Sequence, residues 1–287
     1  MKKIGFIGVG IMGKPMVRNL MKAGFPVSVY ARNPEKVQDV VAEGAVLCES
    51  IAALCAASEV VITMVGFPQD VEEVYFGEGK ILESAQKGAY LIDMTTTSPS
   101  LDSRIYEAGK KKSLHVLDAP VTGGDVGAIN ATLSILVGGD KEDFDACMPV
   151  FQAVGSNINY MGPSGAGQHA KMANQIVIAG TISGICEAFS YAKKQGLDLQ
   201  TLFDAISTGA AGSMQMNTNG LKIVKDDMSP GFKIEHFVKD MGIAAEEAQR
   251  AQLDLGVLTT TLSNYRKVEA SGHEKDGTQA LIKYYQP

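Results

Sequence analysis

Residues 3–30 leave few folds open to this chain. Lys3–Gly8 reads as a short apolar strand. Gly8-Val9-Gly10-Ile11-Met12-Gly13 reads as a turn, and Met12–Ala23 shows helical spacing, with Met12, Met16 and Leu20 on one stripe. Val27–Tyr30 is a second strand. Strand, glycine turn, helix and strand in that order predict a βαβ unit with G-x-G-x-x-G at the junction where a dinucleotide pyrophosphate sits. The first glycine permits the tight turn, the second lets backbone approach phosphate, and the third lets the helix pack on the strand. The helix N-terminus adds unpaired N–H groups and partial positive charge. Gly8, Gly10, Ile11, Met12 and Gly13 are therefore expected against the cofactor.

Which dinucleotide binds is decided at the end of the second strand, where an acidic residue would bond the ribose 2′-hydroxyl of NAD(H). This chain has Ala31-Arg32-Asn33 there, and its next carboxylate is Glu35. The Arg32 guanidinium suits a 2′-phosphate, and no carboxylate is expected in place to repel it. The expectation is NADP(H) in preference to NAD(H), with Arg32 and Asn33 on the adenosine side.

The pattern then repeats. Ala45–Cys48, Glu59–Val65, Ala89–Asp93, Leu114–Asp118, Thr132–Val137 and Asn157–Tyr160 read as strands, with helical segments between most of them. Glu59–Val65 is nearly all apolar, as a parallel strand covered on both faces must be. Gly162-Pro163-Ser164-Gly165-Ala166-Gly167 breaks the pattern. Beyond it, Gln168–Lys194 reads as one long helix, apolar almost all round and so expected to be buried on most sides. Thr201–Ser207, Asn217–Lys225, Ile234–Ala251, Leu258–Ala270 and Thr278–Tyr285 read as further helices. The predicted fold is α/β. A Rossmann-type, doubly wound, mostly parallel sheet spans 1–163, an all-helical domain spans 164–287, and the long helix at about 168–194 joins them.

Composition closes off other classes. Charged residues are 20% of the chain, hydrophobic residues 45%, and net charge is −6, with no basic run or aromatic-basic stripe for nucleic acid. No run of 18 apolar residues argues for a membrane span. The chain enters a strand at once, without a signal-peptide pattern, and its four cysteines form no CxxC pair. A cytoplasmic protein with reduced thiols is expected. The four histidines are scattered, so no metal site is expected. The long apolar helix implies a partner subunit, in a homodimer or homotetramer.

Ligands bind such sheets outside the carboxyl ends of the strands. Met64-Val65-Gly66, Thr95-Thr96 and Asp118-Ala119-Pro120-Val121-Thr122-Gly123-Gly124 lie at those ends. Thr122 followed by two glycines offers a hydroxyl and two N–H groups to a carboxylate, or is simply a tight turn. Lys171 stands among apolar neighbours near the start of the long helix, with Asn174 and Gln175 one turn on. It is either a cleft ammonium or a lysine whose stem packs while its head reaches water.

Four segments together resemble the β-hydroxyacid dehydrogenase family along essentially the whole chain. They are GFIGVGIMGKPM at 5–16, DAPVTGGDVGAINATLSILVGG at 118–139, GAGQHAKMANQ at 165–175 and GFKIEHFVKDM at 231–241. The resemblance implies an enzyme in which Lys171 matches the catalytic lysine and Thr122-Gly123-Gly124 the loop that holds the substrate carboxylate. Asn174 and Gln175 match substrate-side positions. Lys239 and Asp240 match a pair that reaches the cofactor and supports the lysine. Met64, Val65 and either Thr95 or Thr96 match positions lining the nicotinamide. It also implies a small semialdehyde or hydroxy acid as substrate, with tartronate semialdehyde reduced to glycerate foremost. Oxidation of 3-hydroxyisobutyrate and reduction of succinic semialdehyde or glyoxylate are the alternatives in the class. A non-catalytic dinucleotide sensor is the alternative outside it.

Overall fold

A computed structural model describes residues 2–285. The chain divides into two compact units, Met1–Lys171 and Met172–Pro287. The first holds a nine-stranded sheet: β1 (Ile4–Ile7), β2 (Val27–Tyr30), β3 (Val46–Leu47), β4 (Val60–Thr63), β5 (Tyr90–Asp93), β6 (His115–Asp118), β7 (Val121–Thr122), β8 (Leu133–Gly139) and β9 (Gly155–Gly162). Strands β1 to β6 are all parallel, in the order 3-2-1-4-5-6, which is the doubly wound dinucleotide-binding order.

Both faces of this sheet are covered, which explains the uninterrupted apolar runs. Ile4, Phe6, Val60, Ile62, Ile92 and Leu117 point to one face, against Met16, Val17 and Leu20 of helix Gly13–Lys22 and Phe144, Phe151 and Val154 of helix Lys141–Val154. The residues between them, Ile7, Val61, Leu91 and Val116, point to the other face, against Leu54, Val71, Tyr75, Leu101 and Ile105. Period-two alternation is present, but it alternates between two apolar environments.

Beyond β6 the structure adds what the sequence reading did not contain. Val121–Thr122 forms a short strand and Gly124–Ile129 a helix, in a stretch to which the sequence assigns no strand or helix. Strands β6 and β7 pair antiparallel to β8 in one unbroken register, Leu117 with Gly139 and Thr122 with Ser134. Pro120 lacks a donor, but its carbonyl accepts the Leu136 N–H at 3.0 Å and keeps the ladder whole. Residues 115–122 are thus one extended segment.

Helix Ala166–Lys194 begins in the first unit and continues into the second. Its start is held from β6, where the buried Asp118 carboxylate accepts the Gly165 N–H at 2.8 Å and the Gln168 N–H at 3.0 Å. A carboxylate on the free N–H groups of a first turn satisfies them and opposes the helix dipole favourably. Its end is a left-handed glycine cap. Gly196 has φ +75, and the Leu197 N–H reaches back to the Ala192 carbonyl at 3.0 Å.

In the second unit Ala179, Ile182, Ile185, Cys186 and Phe189 of this helix pack with Phe237, Met241, Leu262 and Tyr265. The partners come from helices Ile234–Arg250 and Gly256–Val268, followed by Thr278–Leu281 and Ile282–Tyr285. Among its described residues the regular elements are helices, apart from an isolated bridge between Lys233 and Gly277. By length and hydropathy Ala166–Lys194 is the one described helix that could cross a bilayer, but one side of it packs into this core. The expectation that it is buried on most sides is corrected: Val177 is 68% exposed and Tyr191 67%. The apolar residues are spread around the helix, while the chain packs against one side only.

The contact between Asp118 and the first turn depends on Gly167. A Cβ there would lie 2.4 Å from the Leu136 carbonyl oxygen and 2.7 Å from that of Asp118, both backbone atoms. Gly167→Ala is expected to cost about 1–3 kcal/mol through overpacking, read as a lower urea midpoint at unchanged slope. An unaltered midpoint would show that the helix start is not held this tightly.

Candidate active site

The glycine turn has the three roles its spacing predicts. Gly8 has φ +97, and a Cβ on it would meet the Met64 carbonyl oxygen at 2.2 Å. A Cβ on Gly13 would meet the Gly8 oxygen at 2.1 Å, so the helix sits directly on the turn. A Cβ on Gly10 would meet nothing within 4 Å. Two glycines are thus needed for packing, and the third leaves open space. Helix Gly13–Lys22 has no side-chain cap and no acidic residue in its first turn. Open backbone before an uncapped helix N-terminus fits a pyrophosphate.

A cleft of about 770 Å³ lies beside the turn, lined by Gly10, Ile11, Lys14, Glu35, Lys36 and Asp125 among others. Its charge is mixed. Lys14 and Arg18 bind Asp39 at 2.8 and 2.9 Å, and Arg18 also binds Glu43 at 2.7 Å. Lys36, which the sequence reading did not single out, lines the cleft; a cation on the first turn after β2 was the available signal. Asn33 caps that turn, its side chain accepting the Glu35 N–H at 3.0 Å. The expectation that no carboxylate stands near Arg32 needs correction. Asp70, distant in sequence, lies 3.3 Å from the exposed Arg32 guanidinium and also accepts the Phe67 N–H at 3.1 Å.

The carboxyl ends of the central strands form a buried polar row. Thr63, Asp93 and Asp118 are register partners on β4, β5 and β6. Thr63 Oγ1 donates to Asp93 Oδ1 at 2.7 Å, and the Thr95 N–H donates to the same oxygen at 3.0 Å. Thr95 Oγ1 accepts the Val65 N–H at 3.0 Å, which ties the loop after β5 to that after β4. Thr95 is therefore a buried structural hydroxyl, whereas Thr96 is only partly buried. Met64 and Val65 are also partly buried beside the glycine turn.

Gln168, missed by the sequence reading, joins this row to the long helix. Its amide nitrogen donates to the Thr95 carbonyl and to Asp102 Oδ2, both at 2.7 Å, and its amide oxygen accepts the Thr97 N–H at 3.1 Å. One turn further, Lys171 is 7% exposed, and its Nζ donates to the Val121 carbonyl at 2.8 Å. The ammonium thus sits beside Thr122-Gly123-Gly124, and Lys171 is not a surface lysine. Gly123 and Gly124 adopt φ +129 and +64, and a Cβ on Gly124 would meet nothing within 4 Å. Asp125 follows at once and accepts the Val126 N–H at 2.9 Å.

In the second unit Gln175 is buried. Its amide donates to Asp240 Oδ2 at 2.6 Å and accepts from the Asn174 amide at 2.7 Å. Asp240 Oδ1 lies 2.8 Å from Lys239 Nζ, so Gln175, Asp240 and Lys239 form one chain of contacts. Phe232 stacks on His236, and burial with the nearby Lys239 charge holds that imidazole below its ordinary pKa.

A dinucleotide-type glycine turn in the 3-2-1-4-5-6 sheet, with a buried ammonium in the same unit, marks a nicotinamide-dependent oxidoreductase class. Comparison with known proteins makes the assignment. Residues 3–162 match the NAD binding domain of 6-phosphogluconate dehydrogenase, and residues 165–285 match the NAD-binding domain of NADP-dependent 3-hydroxyisobutyrate dehydrogenase. The chain belongs to the β-hydroxyacid dehydrogenase family. It is similar to an uncharacterized oxidoreductase of Bacillus subtilis (49% identity over 99% of both chains). It is also similar to 2-hydroxy-3-oxopropionate reductase of Escherichia coli (36% identity, covering 98% of this chain and 96% of that one). Among solved structures it resembles Mycobacterium tuberculosis 3-hydroxyisobutyrate dehydrogenase with L-serine, at TM-score 0.91, 31% identity and full coverage of both chains.

The glycine geometry separates packing from binding. Gly10→Ala is expected to unfold at the wild-type midpoint without cofactor while losing at least tenfold in dinucleotide affinity by fluorescence titration. Gly13→Ala should instead lower the midpoint itself. Equal dinucleotide affinity in Gly10→Ala and wild type would exclude the pyrophosphate from this turn.

Proposed function

We propose that the protein reduces a small carboxylate-bearing semialdehyde to its hydroxy acid, tartronate semialdehyde to glycerate foremost, with NADPH as the preferred cofactor and Lys171 as proton donor. The observation that carries this reading is the buried Lys171 ammonium on the Val121 carbonyl, at the start of the segment Val121-Thr122-Gly123-Gly124. Reduction of an aldehyde leaves charge on oxygen, and a fixed ammonium there stabilises the charge and supplies the proton. The Thr122 hydroxyl and the Gly123 and Gly124 N–H groups receive the substrate carboxylate and hold the carbonyl in place. In the second unit Gln175 is the residue proposed for the substrate and Lys239 for the cofactor, and Asp240 orients the one and holds the other. The bound cofactor supplies the hydride. On the nicotinamide side Thr96 is the better candidate, because it is the more accessible of the two.

A dinucleotide sensor has no use for a desolvated ammonium, which is costly to bury. The Escherichia coli relative named 2-hydroxy-3-oxopropionate reductase supports the semialdehyde reading at full-length similarity. Asp70 beside Arg32 favours one second reading, that of an NAD-linked hydroxy acid dehydrogenase, because its charge opposes a 2′-phosphate. Lys36 in the adjacent cleft acts the other way. The exposed Val177 and Tyr191 on the long helix support a homo-oligomer, and the cytoplasm is the proposed location.

Lys171→Ala is expected to lower turnover of tartronate semialdehyde by about 10²–10⁴-fold, the usual range for a positioned proton donor, with NADPH binding unchanged in fluorescence titration. Turnover surviving in that variant would remove Lys171 from the chemistry. With NADPH and NADH compared in one assay, NADPH should be favoured, and Asp70→Asn should widen the preference. Turnover with NADH alone would replace the first reading with the second.

A further inference from the structure

Beneath the loop that carries Thr95 and Thr96 lie two buried carboxyl groups for which the proposed reaction has no use. Asp93 and Asp102 are each 2% exposed. Asp93 Oδ1 is fully engaged, taking the Thr63 hydroxyl and the Thr95 N–H. Asp93 Oδ2 is equally buried, yet among the described residues no N–H or hydroxyl reaches it. Besides Thr63 and Thr95, the side chain within hydrogen-bonding reach of Asp93 is the Asp102 carboxyl. Asp102 Oδ2 in turn accepts the Gln168 amide at 2.7 Å. Two ionised carboxylates are acceptors only and cannot bond each other. A single proton between them supplies the missing donor and removes the repulsion between two buried like charges.

We propose that Asp93 and Asp102 share one proton at neutral pH, and that this acid–carboxylate pair is a positioning element, fixing the Thr95–Thr97 segment, through Gln168, against the turn that bears Lys171. The proton belongs on Asp102. Asp93 accepts two hydrogen bonds at Oδ1 and is best kept as carboxylate, with the Asp102 hydroxyl donating to its Oδ2. Asp102 Oδ2 is then left as the acceptor for Gln168. That choice fixes the orientation of Gln168, whose nitrogen must face Thr95 O and Asp102 and whose oxygen must face the Thr97 N–H. The other titratable groups facing the pair are Asp118 from β6 and Tyr75 from helix Pro68–Tyr75, and neither brings positive charge. Burial accordingly pushes Asp93 up to about 6 and Asp102 well above the ordinary carboxyl range. The functional half of the proposal rests on the reading that the Thr95–Thr97 segment borders the nicotinamide. The shared proton does not.

The test uses the full-length protein and two variants. In Asp102→Asn the amide oxygen can accept from Gln168 and the amide nitrogen can donate to Asp93 Oδ2, so each hydrogen bond is reproduced with no proton to lose. The wild-type minus Asp102→Asn infrared difference spectrum at pH 7 should show one protonated-carboxyl stretching band. Stability should also diverge with pH. The native pair holds a proton that the unfolded chain has released, so raising the pH from the unfolded carboxyl value toward the native one destabilises the wild type. The wild-type folding equilibrium should fall relative to Asp102→Asn by up to about tenfold per pH unit in that window. Asp118 is present in both proteins and cancels. Asp102→Ala should lower turnover, with substantial recovery in Asp102→Asn. If Asp102→Ala does not fold, the spectrum and the pH dependence of Asp102→Asn decide the question. Absence of the band, or parallel pH–stability curves, would overturn the shared proton whatever the substrate proves to be. The band and slope with equal turnover in all three proteins would leave the proton in place and overturn the positioning role.

Discussion

The Asp118 carboxylate against the first turn of helix Ala166–Lys194 is the contact on which the rest of the first unit's site depends. A buried carboxylate is expensive unless every lone pair has a donor. Asp118 meets that demand with backbone N–H groups that a helix start leaves without partners. Each side answers the other's deficit, which locks the end of β6 to the start of the helix. Residues 115–122 form one extended segment, so fixing Asp118 also fixes Val121 and Thr122. The helix rises from the same point and brings Lys171 back to the Val121 carbonyl one turn later. Glycine is required where this contact is tightest: a Cβ on Gly138 would lie 2.5 Å from Asp118 Oδ1, and one on Gly167 would lie 2.4 Å from the Leu136 oxygen.

Around that anchor the sheet buries an unusual amount of polarity at one end. Thr63, Asp93, Asp102, Asp118 and Gln168 are nearly inaccessible. Their hydrogen bonds run along loops whose main-chain groups have no sheet neighbour to satisfy them. A partly satisfied polar network inside a protein is worse than an apolar one, and a satisfied one enforces a single geometry. The loops after β4 and β5 are ordered by side chains for this reason, through Thr95 Oγ1 on the Val65 amide and Gln168 on Thr95 and Thr97. The buried thiols belong to a simpler category. Burial holds Cys55 and Cys147 at about 12, so they pack as small apolar groups.

Much of the fold was legible because its signals are local. Continuous apolar runs mark strands covered on both faces, and the glycine spacing at residues 8, 10 and 13 names the turn before any coordinate is known. The site was legible in part. Lys171 stood out as a lysine among apolar neighbours, and Thr122-Gly123-Gly124 as a hydroxyl before two glycines. Asp93, Asp102 and Gln168 did not, because each is ordinary in its own segment and meets its partners across up to 73 residues of chain. Asp70 near Arg32 was missed for the same reason.

The sequence alone determined the class of fold, the glycine turn and which residues could carry charge into a cleft, since these follow from periodicity and from the conformational freedom of glycine. Tertiary structure decided how those residues are used. It buried the lysine, turned the Thr95 hydroxyl inward and left Thr96 the more accessible, set a carboxylate against Arg32, and buried Asp93 and Asp102 at one end of the sheet. Hydrogen bonds and charge–charge contacts depend on distances of a few ångströms between segments far apart in the chain, and only packing sets those distances.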